Sequence, residues 1–279
     1  MDRHLLLTMG GDARGAWNLA FVSSFFRDKS ALQLTLFYVV AEAYCDRPGG
    51  CTLSDEQLAQ AGKVLDEARK VAISGGFDPT RVEVKAVPRQ FGVLRDIIAE
   101  GHKGLYDAVV TGRRYHNWLE RAYASGVSDG LMAEDVAFPL WVCHKPDPAL
   151  ANVLLCVDGS CENLRMADHI GFMLGGLEEH DITLFHCRQK GLDAEAVLDH
   201  AHDALTTNGV AESRITRRVV DAPDRADAIL HEAREGGYAV VALGRRQSLP
   251  DSMLRRMFGG TVTERLHRNV DRFSLWVST

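Results

Sequence analysis

The sequence lacks the features of a membrane protein or a nucleic-acid-binding protein. No apolar run approaches the ~18 to 20 residues that are needed to cross a bilayer. Residues 1–9 are too short and too acidic a start for a secretory signal, so we expect a cytoplasmic protein. There is no basic excess either, because the formal net charge is −6 and the pI is about 6.0. We therefore expect neither a membrane nor a nucleic acid as a partner.

Several motifs of catalysis and metal binding are also missing. The sequence contains no Gly-x-x-x-x-Gly-Lys-Ser/Thr, which excludes a Walker-type ATPase, and no Gly-x-Gly-x-x-Gly or His-Glu-x-x-His. His200 and His202 are two residues apart on a predicted helix, so they face different sides and form a poor chelate. We expect no metal site.

The six cysteines contain no Cys-x-x-Cys pair. Cys156 and Cys187 lie in apolar, strand-like runs, which is typical of buried and inert thiols. Cys45 and Cys51 bracket a Pro-Gly-Gly segment and are candidates for reactive thiols, although no residue nearby would obviously lower their pKa. A cytoplasmic location argues against a disulfide framework.

What the sequence does contain is an internal repeat. Its 279 residues are 46% hydrophobic and 25% charged, as expected of a globular chain. Segments of the first half recur in the second: residues 5–9 match 153–157, 34–38 match 182–186, 106–114 match 238–246, and 125–128 match 260–263. A period of about 140 residues is too long for a solenoid and indicates two copies of one domain. We place the domains at 1–144 and 152–279. They are joined by a proline-containing linker, which is typical of extended chain.

Strand-like and helix-like segments alternate within each copy. In the second copy we predict strands at 153–157, 181–187, 214–220, 238–243 and 272–278, and helices at 161–174, 193–207, 223–235 and 261–268. This alternation predicts an α/β fold of two tandem doubly wound domains, each a parallel sheet with helices on both faces. Such sheets bind ligands beyond the carboxyl ends of their strands, so the loops after the first and fourth strands are the candidate site.

The second copy carries polar and glycine residues at both of those loops. Asp158 and Ser160 follow the first strand, where they would either cap the next helix or bind a ligand. Gly244 ends the fourth strand, and a Gly-Gly-Thr-Val-Thr run opens the last helix at 259–263, where free N–H groups favour phosphate. Four arginines surround this loop and suit phosphate contact: Arg245, Arg246, Arg255 and Arg256.

These residues resemble the universal stress proteins in their tandem, two-domain form. The resemblance covers both copies and rests on the Val-Asp-Gly-Ser turn at 157–160, the strand–helix order, and the glycine and hydroxyl residues near the end of each copy. It implies a five-stranded parallel sheet with four or five helices in each domain. Members of that family that bind nucleotides carry Gly-x2-Gly-x9-Gly-Ser/Thr around the ATP phosphates, and an aspartate after the first strand at the adenosine end.

The resemblance assigns ATP or another adenine nucleotide to the second copy. Asp158 would hold the adenosine end, and Cys187 would line the adenine pocket. Contacts to the phosphates would come from Gly244, Gly260, Thr261, Val262 and Thr263, assisted by Arg245 or Arg256. The pattern departs from the family at Gln247, which replaces the second glycine, and at 248–259, where twelve residues stand in place of nine.

The first copy departs further from the family pattern. Gly10 stands where the second copy has Asp158, and Asp12 comes two residues later. Gly112 is kept, but Tyr115 and Ser125 occupy the later glycine positions, where their side chains would crowd a phosphate. Gly126 replaces the hydroxyl residue. We therefore expect a poor or absent nucleotide site in this copy.

Three functions are compatible with these residues. The first is a stress-response regulator that binds an adenine nucleotide in its second domain and signals to an unknown regulatory protein. Its two domains would form an intramolecular pseudo-dimer through the terminal strands that hold Trp141 and Trp276, and a homodimer of the whole chain also stays open. The second is a nucleotide-free interaction or scaffold protein with both sites degenerate. The third is an enzyme, either a slow ATP hydrolase or a nucleotide-dependent transferase, but no general base or Mg²⁺-ligand pair is evident, so we expect a binding protein, not an enzyme.

Overall fold

The computed structural model describes residues 2–10, 16–40, 44–45, 51–112, 136, 138–245, 262–268 and 273–278. The chain divides into two compact units, which are Met1–Lys145 (unit 1) and Pro146–Thr279 (unit 2). Within the described ranges, no helix is both long and apolar enough to span a membrane.

Unit 1 alternates strands with helices along the chain. Its strands are β1 (Arg3–Met9), β2 (Leu32–Val40), β3 (Val82–Pro88), β4 (Ala108–Gly112) and β5 (Leu140–Cys143), and its helices are α1 (Trp17–Phe25), α2 (Asp55–Ser74) and α3 (Val93–Gly101). A short antiparallel ribbon of Tyr44–Cys45 and Cys51–Thr52 follows β2. The longest helix among the described residues, α2, begins at a capping box in which Ser54 and Gln57 exchange side-chain and backbone hydrogen bonds.

Unit 2 repeats the same alternation. Its strands are β6 (Val153–Cys156), β7 (Ile182–Cys187), β8 (Ile215–Val220), β9 (Val240–Gly244) and β10 (Ser274–Ser278), and its helices are α4 (Cys161–Leu174), α5 (Ala194–Thr207), α6 (Arg225–Glu235) and α7 (Val262–Arg268). The side chains of Ser160, Asp193 and Asp224 accept backbone N–H groups at the starts of α4, α5 and α6. The strands and helices predicted for this copy are confirmed, and their ends differ by at most two residues.

The strands of each unit form a parallel sheet with the same order. Unit 1 has the order β3-β2-β1-β4-β5 and unit 2 the order β8-β7-β6-β9-β10. The direction of strand addition reverses between β1 and β4, and again between β6 and β9. The central strands are buried along consecutive residues, because both faces of the sheet are covered. The predicted fold class of two doubly wound α/β domains, each with a five-stranded parallel sheet, is confirmed.

A buried glutamate ties the third helix of unit 1 to its sheet. Glu100 on α3 is buried, and its carboxylate lies 2.6 Å from the ammonium groups of both Lys85 on β3 and Lys103. The hydroxyl of Tyr106 donates to the same carboxylate at 2.8 Å. Burial opposes the charged form, but the hydrogen bonds from the two lysines and Tyr106 outweigh it and hold the pKa of Glu100 below its usual range.

Unit 2 contains an equivalent arrangement. Glu232 on α6 is buried, accepts from the Tyr238 hydroxyl at 3.1 Å and pairs with Arg218 on β8 at 2.9 Å. The Tyr238 hydroxyl also lies 3.1 Å from the hydroxyl of Thr183 on β7. A buried carboxylate needs such donors to offset its lost hydration, so this network fixes α6 against the sheet.

Candidate functional site

The Asp158 turn connects β6 to α4 at the reversal point of unit 2. Asp158 Oδ1 accepts the backbone N–H of Ser160 at 3.0 Å, and the Ser160 hydroxyl accepts the N–H of Asn163 at 3.4 Å. Gly159 has a φ of +78°, which favours glycine, and a Cβ there would lie 3.1 Å from Val197 on α5. The turn thus holds the Asp158 carboxylate at the carboxyl edge of the sheet while it caps α4.

Asn163 joins the two sides of this reversal point, and the sequence analysis missed it. Its Nδ2 donates to Asp158 Oδ1 at 2.5 Å and to Ser160 Oγ at 3.2 Å, while its Oδ1 accepts the backbone N–H of Gly244 at 2.7 Å. Leu243 is the last residue of β9 that pairs with β6, so the N–H of Gly244 lies beyond the paired part of these two strands. A side-chain amide supplies both the donor and the acceptor that this position needs. The sequence signal that could have identified Asn163 is its position in the first turn of the helix that follows the first strand of unit 2.

Gly244 is a glycine because α4 passes directly over it. A Cβ at this position would lie 2.2 Å from the carbonyl carbon of Glu162 and 2.3 Å from the backbone nitrogen of Asn163. Both atoms belong to the backbone of the first turn of α4 and cannot rotate away. Close packing of helix on strand therefore accounts for Gly244 with or without a phosphate.

The residue after Gly244 extends the contact to the last strand. The backbone N–H of Arg245 donates to the Ser278 carbonyl at 2.7 Å, and the Ser278 hydroxyl donates to the Glu162 carbonyl at 2.9 Å. The carboxyl ends of β9 and β10 and the start of α4 thus form one hydrogen-bonded surface. Arg245 is half-buried at this edge.

Cys187 is the last residue of β7 and is buried. Burial raises the pKa of its thiol, although nearby Arg225 opposes the rise and Asp224 adds to it. Its neighbour His186 is also buried, and the ring Nδ1–H donates to the Val157 carbonyl at 2.9 Å, next to the Asp158 turn. β7 is therefore tied to the turn through His186, while the Cys187 thiol remains a weakly ionising group.

Only part of the predicted phosphate loop falls within the described residues. Gly260 and Thr261 lie outside them, as do the segment 247–259 and Arg246, Arg255 and Arg256. Val262 and Thr263 are the first residues of α7 and are half-buried. The structure thus brings Asp158, Gly244 and Arg245 to one edge, and it places α7 after them in the chain.

Arg265 anchors α7 to the start of α6. Its guanidinium lies 2.5 Å from Asp224 and 2.6 Å from Asp227. The backbone N–H of Asp227, together with Arg265, holds the pKa of the Asp224 carboxyl below its usual range. This arginine is therefore engaged by carboxylates and serves to position the helix that follows the glycine-rich segment.

The same edge of unit 1 is built differently. Gly10 follows β1, and the structure does not describe Asp12, Tyr115, Ser125 or Gly126. Gly112 ends β4, and a Cβ there would have its nearest neighbour at 3.6 Å, an ordinary contact. Unit 1 thus has Gly10 in the position of Asp158, and packing against the described residues does not demand its glycine at 112.

Other chemistry is limited among the described residues. They contain no group of three or more His, Cys, Asp or Glu side chains that could hold a metal ion. One Gly-x-Ser-x-Gly pattern, a known form of the serine nucleophile turn, occurs at 126–130 but lies outside the described ranges.

The fold is shared with universal stress proteins of known structure. No family model matches the chain, and none of the curated proteins matches its sequence. A universal stress protein from Archaeoglobus fulgidus is similar over 99% of this chain and 96% of its own, with a TM-score of 0.67 and 17% identity. A protein from Pseudomonas aeruginosa provisionally assigned to the universal stress proteins is similar over 99% of this chain and 93% of its own, with a TM-score of 0.56 and 14% identity.

The likeness extends to a different kind of protein. The cytoplasmic domain of a prokaryotic cation chloride cotransporter is similar over 100% of this chain and 95% of its own, with a TM-score of 0.50 and 10% identity. The resemblance to tandem universal stress proteins is thus confirmed for the fold. Function has to be argued from the site, because one fold hosts several functions.

Proposed function

We propose that this chain is a regulatory protein of the universal stress type, and that unit 2 binds ATP or a related adenine nucleotide. Unit 1 would bind such a nucleotide poorly or not at all. Binding would shift unit 2 between two states, and a regulatory protein would recognise one of them. The proposed role is binding without catalysis.

The observation that carries this proposal is the joining of Asp158 to Gly244 and Arg245 at the reversal point of unit 2. Asn163 links the carboxylate turn to the end of β9 within one set of hydrogen bonds. Open α/β sheets bind their ligands at this point, outside the carboxyl ends of the strands. A carboxylate on one side and an arginine on the other match a ligand with hydroxyl donors at one end and phosphate at the other.

A second candidate, a nucleotide-free interaction protein, is favoured by a specific observation. Asp158 Oδ1 already accepts two hydrogen bonds inside the protein, and packing against Glu162 accounts for Gly244. Both residues therefore have structural roles that need no ligand. The pseudo-dimer of the two units and the homodimer stay predictions.

Nucleotide content and affinity separate the two candidates. The full chain is purified without added nucleotide and denatured, and the released small molecules are separated by chromatography. Calorimetry then measures the binding of ATP, ADP and AMP. We expect an adenine nucleotide to bind with an affinity that falls at least ~tenfold in Asp158→Asn, because removing one charge-assisted contact costs about 1.5 kcal/mol or more.

Asp158→Asn is preferred to Asp158→Ala because an asparagine can still accept the Ser160 N–H and keep the turn. Gly260→Val is a second variant, which would block close approach of a phosphate to the backbone. The exposed Asp181, which precedes β7 at the opposite edge of the sheet, supplies the matched control Asp181→Asn. The proposal is wrong if the purified protein releases no nucleotide and shows no heat of binding at millimolar ATP. Multiple-turnover phosphate release that is lost in Asp158→Asn would instead favour the hydrolase.

A further inference from the structure

The ribbon of unit 1 sets two cysteines opposite each other. Its antiparallel register pairs Tyr44 with Thr52 and Cys45 with Cys51. Directly opposed residues of an antiparallel pair have Cα atoms about 4.5 or about 5.5 Å apart. Both spacings fall within the Cα separations of about 4.4 to 6.8 Å that a disulfide requires. The backbone therefore satisfies the first condition for a bond between these residues.

The two cysteines are also close along the chain. Five residues, 46–50, separate them, so each meets the other at a high effective concentration. An intramolecular bond is favoured over bonds to other thiols under these conditions. The closed loop is short, so closing it restricts the unfolded chain little, and the bond is suited to reversible formation.

Unit 2 has no equivalent of this ribbon in its described residues. There β7 ends at Cys187 and α5 begins at Ala194, whereas in unit 1 the chain runs from Val40 to Asp55 before the next helix. The ribbon is thus an addition after the second strand of unit 1, at the carboxyl edge of its sheet. A covalent link there would act on the half of the molecule for which we propose no nucleotide.

We propose that Cys45 and Cys51 form a reversible disulfide, which makes the ribbon a redox-responsive element of unit 1. The oxidant is a small disulfide of the glutathione type. One cysteine thiolate attacks a sulfur of that disulfide and releases one glutathione thiolate. The second cysteine then attacks the mixed disulfide and releases the other glutathione. Two protein thiols lose two protons and two electrons in total, and one disulfide becomes two glutathione thiols.

Three of the other described cysteines are poor competitors for this reaction. Cys143, Cys156 and Cys187 are buried, and burial raises the pKa of both Cys156 and Cys187. Cys161 is exposed at the start of α4 and is the natural control. The assignment does not depend on nucleotide binding, so it stands or fails separately from the proposed function.

Mass spectrometry of the full chain tests the assignment. The reduced protein is incubated with excess glutathione disulfide, denatured, alkylated with N-ethylmaleimide, and digested with a protease that cuts before aspartate. Asp46 lies between the two cysteines, so their fragments stay together only if they are bonded. We expect a linked pair of fragments without alkyl groups, which a dithiol reductant separates.

Single variants and isotope labelling complete the test. Cys45→Ser and Cys51→Ser should each abolish the linked pair, and Cys161→Ser should leave it unchanged. A mixture of isotopically labelled and unlabelled chains shows whether the link lies within one chain. The proposal is wrong if both cysteines are alkylated, if each carries glutathione instead, or if the link joins two chains.

Discussion

The first and fourth strands of both units meet near an asparagine, but the asparagines make different contacts. In unit 1, Asn18 Nδ2 donates to the carbonyls of Thr8 on β1 and Val110 on β4, at 2.8 and 3.2 Å. In unit 2, Asn163 accepts from Gly244 and donates to Asp158. The amide of unit 1 thus satisfies the ends of two strands, whereas that of unit 2 connects a carboxylate to a strand end.

The hydrogen-bonded network around the buried glutamate, in contrast, is present in both units. Glu100 with Tyr106 and Glu232 with Tyr238 occupy equivalent places between helix and sheet. Burial makes such a carboxylate costly to leave unpaired, so each unit supplies it with a tyrosine and at least one cation. The carboxyl edge, in contrast, differs between the units. We infer that packing preserves this network while the carboxyl edge diverges.

The largest expected effect comes from adding one methyl group at the end of the fourth strand. Gly244→Ala should destabilise unit 2 by about 3 kcal/mol or more, because the new Cβ meets the backbone of α4. Gly112→Ala should change stability by no more than about 0.5 kcal/mol, because its Cβ has room. Urea unfolding followed by tryptophan fluorescence measures both. Equal losses in the two variants would contradict the contrast between the units.

A smaller loss is expected when the donor side of the Asn163 amide is removed. Asn163→Asp keeps the acceptor for Gly244 but sets a second carboxylate against Asp158, so stability should fall by about 2 kcal/mol. Amide hydrogen exchange at Gly244 should accelerate accordingly.

A double variant tests whether that loss arises from the contact with Asp158. Asp158→Asn combined with Asn163→Asp removes the repulsion between two carboxylates and should recover part of the protection at Gly244. The same Asp158→Asn change should not rescue Asn18→Asp, whose partners are two carbonyls of unit 1. If the double variant exchanges as fast as Asn163→Asp, the amide does not link the two sides.

The smallest expected effect concerns the network that both units share. Glu100→Gln should lower stability by about 1.5 kcal/mol at neutral pH, because charge-assisted hydrogen bonds are lost. The pKa of Glu100 is lower in the folded state than in the unfolded one, so its contribution is present at neutral pH and disappears as acid protonates it.

The difference in melting temperature between wild type and Glu100→Gln should therefore shrink as the pH falls below about 4, the range in which glutamates titrate. Glu232→Gln serves as the comparison in unit 2, where we expect a loss of similar size at neutral pH. A difference for Glu100→Gln that is constant from neutral to acid pH would show that its charge contributes nothing.

The sequence was sufficient for the fold because its signals are local and repeated. Continuous apolar runs such as Val153–Cys156 predicted buried strands, and the matching segments indicated two domains of one kind. Helix starts were predicted closely because their caps, such as Ser160, are chosen by nearby backbone groups. Asp158 and Gly244 were singled out for the same reason, since both stand at the ends of recognisable strands.

The site itself was harder to predict because its contacts are distant in sequence. Asn163 and Gly244 are 81 positions apart, and no local pattern shows that one side chain reaches the other. The reason for Gly244 was also hidden, because it depends on how closely α4 passes over β9. Cys187 follows the same rule, because the effect of Arg225 and Asp224 on its pKa depends on how the start of α6 lies against the end of β7.

The sequence by itself determined the strands, the helices and their duplication, since these follow from hydrophobic periodicity and from capping between neighbours in the chain. Only the tertiary structure decided which polar groups meet at the carboxyl edge. It paired Asn163 with Gly244 in unit 2 and Asn18 with two carbonyls in unit 1. Such pairs form because parallel strands from separate parts of the chain end together, and because buried polar groups must then find partners.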